Sequence, residues 1–412
     1  MNVLRSFKTE LDLNNRQKTA CLRHAGAARY AYNWGLARKM AARLAGEKTP
    51  TAIDLHRELN ALKKTELDWM YEVSKCAPQE ALRDLDRAFA NYFRRIKERN
   101  QGRKIKPGFP RFKSKKNGSG SFRLTGAIHV FEKAIQLPRL GRLRLKERGY
   151  LPMQGVHILS ATVSEKNGRW FVSLQVELEM PEPQISERPL AGLDLGISRM
   201  AQLSDGTYFD NPRPLKIALT KLKRQHREVS RRKKGSANYK KAVHQLARTH
   251  AQVANIRKDA LHKATTWLAR TKSVIMLEDL NVNGMIKNHY LAQAIADVGL
   301  YEFRRQLTYK GAWYGCQVWM ADQFYPSTKR CSQCGQIKDR IDLNERVYQC
   351  EYCGVLIDRD LNAAINLEQL ITHTTASSAG SYACGERIRP GFPAMLDETG
   401  TKHYPPCGEQ SA

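Results

Sequence analysis

The sequence predicts a multidomain α+β protein, and three observations lead there. Stretches of two-residue apolar alternation stand beside long stretches of helical period, so strands and helices are both built in quantity. A proline-rich run, M-P-E-P-Q-I-S-E-R-P at 180–189, separates two such mixed halves. The last third carries two Cys-x-x-Cys pairs, 331–334 and 350–353, at a separation that suits a small metal-stapled module. A chain of 412 residues is long enough to bury several cores.

Charge narrows the class of partner. Lys and Arg number 69 against 40 Asp and Glu, a formal charge of +29 and a pI near 9.9. An excess of that size calls for a polyanion, and nucleic acid is the leading choice. A membrane surface is disfavoured, because there is no apolar run of transmembrane length, no signal peptide and no lipidation motif. The 9 cysteines do not read as a disulfide framework. Four belong to the Cys-x-x-Cys pairs, Cys21, Cys76 and Cys316 sit in apolar segments like ordinary buried thiols, and Cys384 and Cys407 lie near the C-terminus. A reducing cytoplasm fits.

Taken in order, residues 1–13 alternate loosely and read as a strand. From Arg16 to Glu47 the period is helical, with Leu22, Ala25, Ala28, Tyr32, Leu36, Met40 and Leu44 forming one apolar stripe. A second helix runs from about Ser74 to Arg99, with Pro78 in its first turn and Leu82, Leu85, Phe89, Tyr92 and Ile96 on its buried face. Its other face is basic and includes Arg83 and Arg87. Residues 100–120, with Arg111 and Lys113 interleaved among Phe109 and Phe112, are either a nucleic-acid contact or an unstructured linker. Residues 121–180 are strand-like. Their clearest feature is a hairpin around Asn167-Gly168, with Trp170, Val172, Leu174, Val176 and Leu178 on one face. A small β-barrel completed by the N-terminal strand is expected.

The second half opens with L-A-G-L-D-L-G-I, an apolar strand interrupted by Asp194 and flanked by Gly192 and Gly196. A carboxylate buried in mid-strand is costly unless a cation or hydrogen bonds offset it, and a bound metal would do so. The glycines would allow close approach of another chain segment. A second strand follows at once as a hairpin, with a turn at Ser204-Asp205-Gly206. Residues 216–272 hold 17 Lys and Arg against 2 acids and read as a helical hairpin broken near Gly235-Ser236. Ile256, Leu261, Trp267 and Leu268 are its expected anchors, and Arg231, Arg232, Lys233 and Lys234 its densest basic run. S-V-I-M-L-E-D-L at 273–280 is a second buried strand ending on acid, Glu278 then Asp279. A helix over about 291–313, a strand over 316–320 and a helix opened by D-R-D-L-N-A-A-I-N-L complete the order.

Two constellations carry chemistry. Cys331, Cys334, Cys350 and Cys353 have the spacing of a tetrahedral Zn2+ site, each pair followed by a glycine that turns the backbone. Four thiolates leave no open position, so the site is structural. Asp360 opens a helix and by itself reads as a cap. Together with Asp194 and Glu278 it gives three acids at strand ends or helix starts, in the element order of an RNase H-like domain. Three acids there can hold two divalent ions about 4 Å apart for phosphodiester hydrolysis.

At this point the chain resembles the TnpB (OrfB) proteins of insertion sequences, relatives of the type V CRISPR effector nucleases. The resemblance rests on G-F-P-R-F-K-S-K-K (108–116), G-L-D-L-G-I (192–197), S-R-R-K-K-G-S-A-N-Y-K-K-A (230–242), V-I-M-L-E-D-L (274–280), the paired Cys-x-x-Cys and D-R-D-L-N-A-A-I-N (358–366). It implies an RNA-guided DNA endonuclease with a RuvC-type nuclease domain and Asp194, Glu278 and Asp360 as catalytic acids, Asp279 and Asp358 being the neighbours most easily confused with them. It also implies a helical recognition lobe inserted into the barrel, with Lys75 and Gln79 facing the short DNA motif beside the target. The implied cofactors are structural Zn2+, catalytic Mg2+ (two ions) and a guide RNA. Target duplex DNA is the other partner, the protein being a monomer in its RNA complex in a prokaryotic cytoplasm, at the nucleoid.

These readings divide the chain into a wedge barrel (1–15 and 121–185), a recognition lobe (16–120), a RuvC-like nuclease (186–322 and 356–374), a zinc ribbon (323–355) and a disordered tail (375–412). Two other functions stay open: a guide-dependent DNA-binding repressor that does not cut, and an unguided transposase or resolvase. The intact acids favour cutting over the first, and the large basic first half argues against the second.

Overall fold

A computed structural model of the chain describes residues 2–377 apart from 116–117, 119, 184–186 and 343–344, together with three two-residue strands, Arg389–Pro390, Met395–Leu396 and Lys402–His403. The tail expected to be disordered lies, beyond those strands and the end of the last helix, outside the described residues. The chain divides into two compact units at Pro181/Glu182.

The first unit joins helices and one antiparallel sheet over a common core. Its elements are β1 (Asn2–Asp12), α1 (Asn15–Leu44), α2 (Ala52–Leu62), a 3-10 turn (Asp68–Glu72), α3 (Cys76–Asn100), β2 (Ser121–Leu124), β3 (His129–Phe131), β4 (Ala134–Leu137), β5 (Gly141–Leu145), β6 (Val156–Lys166) and β7 (Arg169–Glu179). The strand order is β2-β6-β7-β1-β5-β4-β3, so the N-terminal strand is central. Among the described residues no ladder joins β2 to β3, and the expected barrel is in its hydrogen bonding a seven-stranded sheet with two edges. The β6–β7 hairpin turns on Asn167 (φ 57) and Gly168 (φ 77), the positive angles expected of Asn-Gly. Trp170, Val172, Leu174 and Val176 are buried on its inner face.

α1 opens with a capping box between Asn14 and Gln17. Its buried stripe runs through Cys21, Ala25, Ala28, Tyr32 and Leu36, whereas Leu22, Met40 and Leu44 are exposed. Lys39 and Ala42 continue the buried face past Leu36, so the three exposed residues lie to one side of that face and not beyond its end. α2 was not expected, although Thr51 and Asp54 form its capping box. Residues 103–115 are not a free linker. Phe109 packs edge-on against Phe89 and Tyr92, and Asn33 bonds both backbone groups of Lys113 at 2.8 and 2.9 Å.

The second unit is built on β8 (Ala191–Asp194), β9 (Arg199–Leu203), β10 (Tyr208–Asp210), α4 (Pro214–Arg231), α5 (Ala237–Thr271), β11 (Val274–Glu278), α6 (Val282–Met285), α7 (Ala292–Val298), α8 (Leu300–Tyr314), β12 (Gln317–Ala321), β13 (Val347–Gln349), β14 (Leu356–Asp358) and α9 (Arg359–Ser377). The main sheet has the order β10-β9-β8-β11-β12, extended by Arg389–Pro390. β8 pairs antiparallel with β9 and parallel with β11, which pairs parallel with β12. Leu261, Leu268, Phe303 and Leu307 from α5 and α8 are buried in the core with Leu193, Ile275 and Leu277, while Met276 joins Leu367, Leu370 and Ile371 of α9 in another cluster.

Several expectations shift in detail. The basic hairpin forms, with Ser236 capping α5, but Ile256 is exposed and Trp267 half-exposed against Phe209. The single helix expected over 291–313 is two helices, because Gly299 takes a left-handed φ of 78° between α7 and α8. Asp194 ends its strand instead of interrupting it.

Candidate active site and metal centre

The acids singled out in the sequence gather at one end of the second unit's sheet. β8 ends on Asp194 and β11 on Glu278. Leu193 pairs with Leu277 in the parallel register, so Asp194 and Glu278 form the next pair along. Asp360 comes from the first turn of α9. Gly192 explains how α9 gets so close: a Cβ there would stand 1.9 Å from the Ala364 carbonyl and 2.4 Å from the Glu368 nitrogen. From that contact Asp194 lies two residues along the strand, about 6.6 Å. Asp360 lies four residues back along the helix, about 6 Å. The segment that Gly192 admits is thus α9, whereas a Cβ at Gly196 would meet the Arg199 carbonyl of its own hairpin at 2.9 Å.

The electrostatics reflect that proximity. Burial, and then the charges of Glu278 and Asp360, push the Asp194 carboxyl well above its ordinary range, with Arg359 offsetting part. Burial also raises Glu278, against a hydrogen bond from the Ser327 hydroxyl. Among the described residues neither Asp194 nor Glu278 has an ion-pair partner. A half-buried group of like charges that Arg359 offsets only in part is the arrangement that a divalent ion relieves, so these donors fit one.

The neighbouring acids have other attachments. Asp358 accepts from the backbone of Asp360 and Leu361 at 3.0 and 3.1 Å and meets Arg199 at 3.2 Å. The capping role the sequence allowed for Asp360 therefore falls to Asp358. Asp279 pairs with Arg304 at 2.7 Å. Asp360 itself has Arg359 at 3.5 Å.

The four cysteines form a second, tighter centre. Their sulfurs all lie within 4.8 Å of one another, with Cys331–Cys353 and Cys334–Cys350 at 3.6 Å. A tetrahedron with 2.3 Å metal–sulfur bonds has an edge of about 3.8 Å, whereas a disulfide would need about 2.05 Å. The set thus fits a thiolate-bound metal, and all four are free cysteines. Gly335 (φ 78) and Gly354 (φ 74) return their N–H groups to the Cys331 and Cys350 carbonyls at 2.9 and 3.0 Å. Backbone N–H groups of Cys353 and Tyr352 help bring the Cys350 thiol down to about 6, whereas Cys334 and Cys353 are pushed up, so one thiolate forms readily and a cation is needed for the rest.

α9 ties the two centres together. Asn362 accepts from the Ser332 N–H at 2.9 Å and donates to the Arg330 carbonyl at 2.7 Å. One turn on, Asn366 donates to the carbonyls of Ser327 and Arg330 at 2.8 and 2.7 Å, and Gln369 to that of Ser332 at 2.8 Å. Both asparagines are fully buried. Ser327 thus holds Glu278 with its hydroxyl while its carbonyl is held by α9. Ser327, Asn362 and Asn366 were not picked out from the sequence. Two asparagines at i, i+4 within an apolar helix were the available signal, since buried amides demand partners.

Of the residues expected to bind nucleic acid, Lys75, Gln79, Arg83 and Arg87 are spaced four apart along α3 and its cap, a single ridge. Arg83 pairs with Glu80 at 2.8 Å and Arg87 with Asp84. Arg111 is exposed, while the Lys113 ammonium sits 3.9 Å from the Tyr32 ring centre. Arg231, Arg232, Lys233 and Lys234 are exposed where α4 gives way to α5, with Arg232 against Glu228 at 3.3 Å.

Comparison with known proteins agrees with this layout. Residues 173–289 match the OrfB family of the IS605 type, described as a probable transposase. Residues 301–367 match the TNB domain of Cas12f1-like proteins, and residues 1–48 the helix-turn-helix domain of the OrfB family. In this chain those first residues are one strand and one long helix. A protein of Streptomyces pristinaespiralis, provisionally named an RNA-guided DNA endonuclease, is 35% identical over 392 residues, 94% of this chain and 92% of its own. InsQ of Escherichia coli K12, with the same provisional name, is 33% identical over 417 residues, 97% and 98% of the two chains. A solved Cas12f1 in complex with sgRNA and target DNA shares the fold, with a TM-score of 0.53 at 13% identity over 89% of this chain and 99% of that one. With relatives identical at a third of positions over nearly their whole length, the chain belongs to the TnpB (OrfB) family.

Proposed function

We propose that this chain is an RNA-guided DNA endonuclease encoded by an insertion sequence, cutting target DNA beside a short flanking motif. The observation that carries the reading is the meeting of Asp194 and Glu278 at the ends of adjacent parallel strands, with Asp360 delivered by α9 over Gly192. The order β10-β9-β8-β11-β12, with β9 antiparallel and β11 parallel to the central β8, supports the reading of an RNase H-like domain of the RuvC type. The names of the two long relatives point the same way.

Mg2+ bound by the three acids would supply the charge that activates a water and stabilises the departing 3′ oxygen. The residues' own work is positional. The strand ends hold Asp194 and Glu278 side by side, Ser327 orients Glu278, and Asp358 caps the helix that carries Asp360. The four-cysteine set would hold a structural Zn2+. Lys75 and Gln79 would face the flanking motif, and the basic surfaces of α3 and of α4–α5 would follow RNA and heteroduplex phosphates. In this reading the protein acts as a monomer in its RNA complex, in a prokaryotic cytoplasm. None of the described helices is long and apolar enough to cross a membrane.

The test is cleavage of duplex DNA by protein stripped of RNA and then given back its co-purifying transcript, with Mg2+ present throughout. Sequence-specific cutting is expected only after RNA is restored. Cutting by the stripped protein would transfer the chain to the unguided transposases, and binding without cutting would make it a repressor.

A further inference from the structure

A groove of about 810 Å³ lies in the first unit between α1 and the 3-10 turn Asp68–Glu72, far from the acids in sequence. That size is within the usual range of ligand pockets, about 300–1,000 Å³. Its floor is one stripe of α1, Gly26, Tyr30 and Trp34, and its far wall is Trp69. Tyr30 and Trp69 meet edge to face at 5.6 Å and 89°, yet each keeps more than a third of its surface exposed. Arg23 and Arg29 stand at the rim, Arg23 fixed there by Glu72 at 2.6 Å. Gly26 is the second observation. It weakens the middle of a long helix relative to alanine or leucine, while a Cβ there would meet nothing within 4 Å. Packing among the described residues gives no reason for it, but close approach of something to the helix backbone does.

We infer that this groove binds an unpaired nucleotide, its base against Trp69 and Tyr30 over the Gly26 floor and its phosphate at Arg23 and Arg29. The chemistry favours that occupant. Guanidinium groups at the rim suit a phosphate, and a chain of charge +29 already attracts nucleic acid. Paired bases hide their faces in the stack, so the aromatic wall can engage only a base that has left it. The inference rests on the nuclease reading for the origin of the strand, and either the RNA or a strand of the opened DNA could supply it.

The experiment measures binding of fluorescein-labelled hexauridylate, hexathymidylate and a blunt DNA duplex by anisotropy. It uses the full chain carrying its RNA and, in parallel, the chain stripped of it. Gly26→Leu fills the floor while favouring the helix, so its thermal midpoint should stay level or rise. It and Trp69→Ala should each weaken hexamer binding to the stripped chain roughly tenfold to a hundredfold, the worth of one stacked base, and leave duplex binding unchanged. Hexamer binding that persists when the RNA is present assigns the groove to a DNA strand. Binding seen only after stripping assigns it to the RNA itself. Unchanged hexamer affinity in Gly26→Leu overturns the inference, as does an equal loss for hexamers and duplex. So does a Gly26→Leu chain that keeps its hexamers and loses a co-purifying protein. Failure of the wild-type complex to cut DNA would sink the nuclease reading while leaving the hexamer result standing.

Discussion

The second unit holds two clusters of side chains of metal-ligating type, four cysteines and three acids, that are assembled in opposite ways. The cysteines are drawn together by two short turns, their sulfurs within 4.8 Å, each pair closed by its own glycine. The acids come from two strand ends and a helix, and they do not close to that distance as the cysteines do. Burial, and then the nearness of Glu278 and Asp360, raises the proton affinity of Asp194. A closed set of four ligands stabilises a fold, whereas an open set of charged ones keeps room for water and a phosphate at a cost in stability. In the proposed reading that contrast makes one centre scaffold and the other reactive, with α9 joining them.

The largest expected effect separates the acids from their neighbours. Asp194→Ala, Glu278→Ala and Asp360→Ala should each abolish cleavage in a duplex-cutting assay while gel-shift affinity stays near wild type. Asp358→Ala should instead cost about 1 kcal/mol in urea unfolding, the worth of a lost cap, with cleavage reduced but measurable. A dead Asp358→Ala beside an active Asp360→Ala would reverse the assignment.

Next in size is the thiolate centre. Metal analysis should find one zinc per chain, and Cys331→Ser should release it and loosen the loop that Asn362, Asn366 and Gln369 hold. Cleavage should fall with it, because Ser327, which orients Glu278, hangs from the same helix. Full activity in zinc-free protein would show that the two centres are independent.

A smaller effect has a definite sign. The Asp194 carboxyl is raised in the folded chain, so between its unfolded and folded values the folded state binds more protons than the unfolded one. Stability should therefore fall as pH rises through that window. Asp194→Asn should stabilise metal-free protein at neutral pH while eliminating cleavage. That advantage should shrink as pH falls towards the ordinary carboxylate range, where the wild-type acid is already neutral. Calorimetry in chelator across pH would test it, and a destabilised Asp194→Asn would mean that burying this charge beside Glu278 and Asp360 does not strain the fold.

The smallest effect is expected at Asp279, whose partly exposed pair with Arg304 is worth under about 1 kcal/mol. Asp279→Asn should leave cleavage and the thermal midpoint almost unchanged. A strong loss would extend the reactive cluster to a fourth acid.

Local chemistry was legible in the sequence alone. Asn167-Gly168 dictates a tight hairpin through its positive φ angles, and paired Cys-x-x-Cys with glycines dictates a closed thiolate set. An apolar run ending on Glu278 or opening at Asp360 is visible because period and polarity change within a few residues. Contacts across long separations were another matter. Whether Asp358 or Asp360 caps α9 depends on which carboxylate finds the backbone N–H groups. Gly192 showed only that something could approach, and the tertiary fold decided that it was α9. Met40 and Leu44 face solvent because successive steps of four drift off a 3.6-residue period, and the buried face passes instead through Lys39 and Ala42. Ser327, a single hydroxyl in a loop, carried no pattern at all. Its role exists because β11, the cysteine loop and α9 meet at one point, and no run of neighbouring residues encodes a meeting of three distant segments.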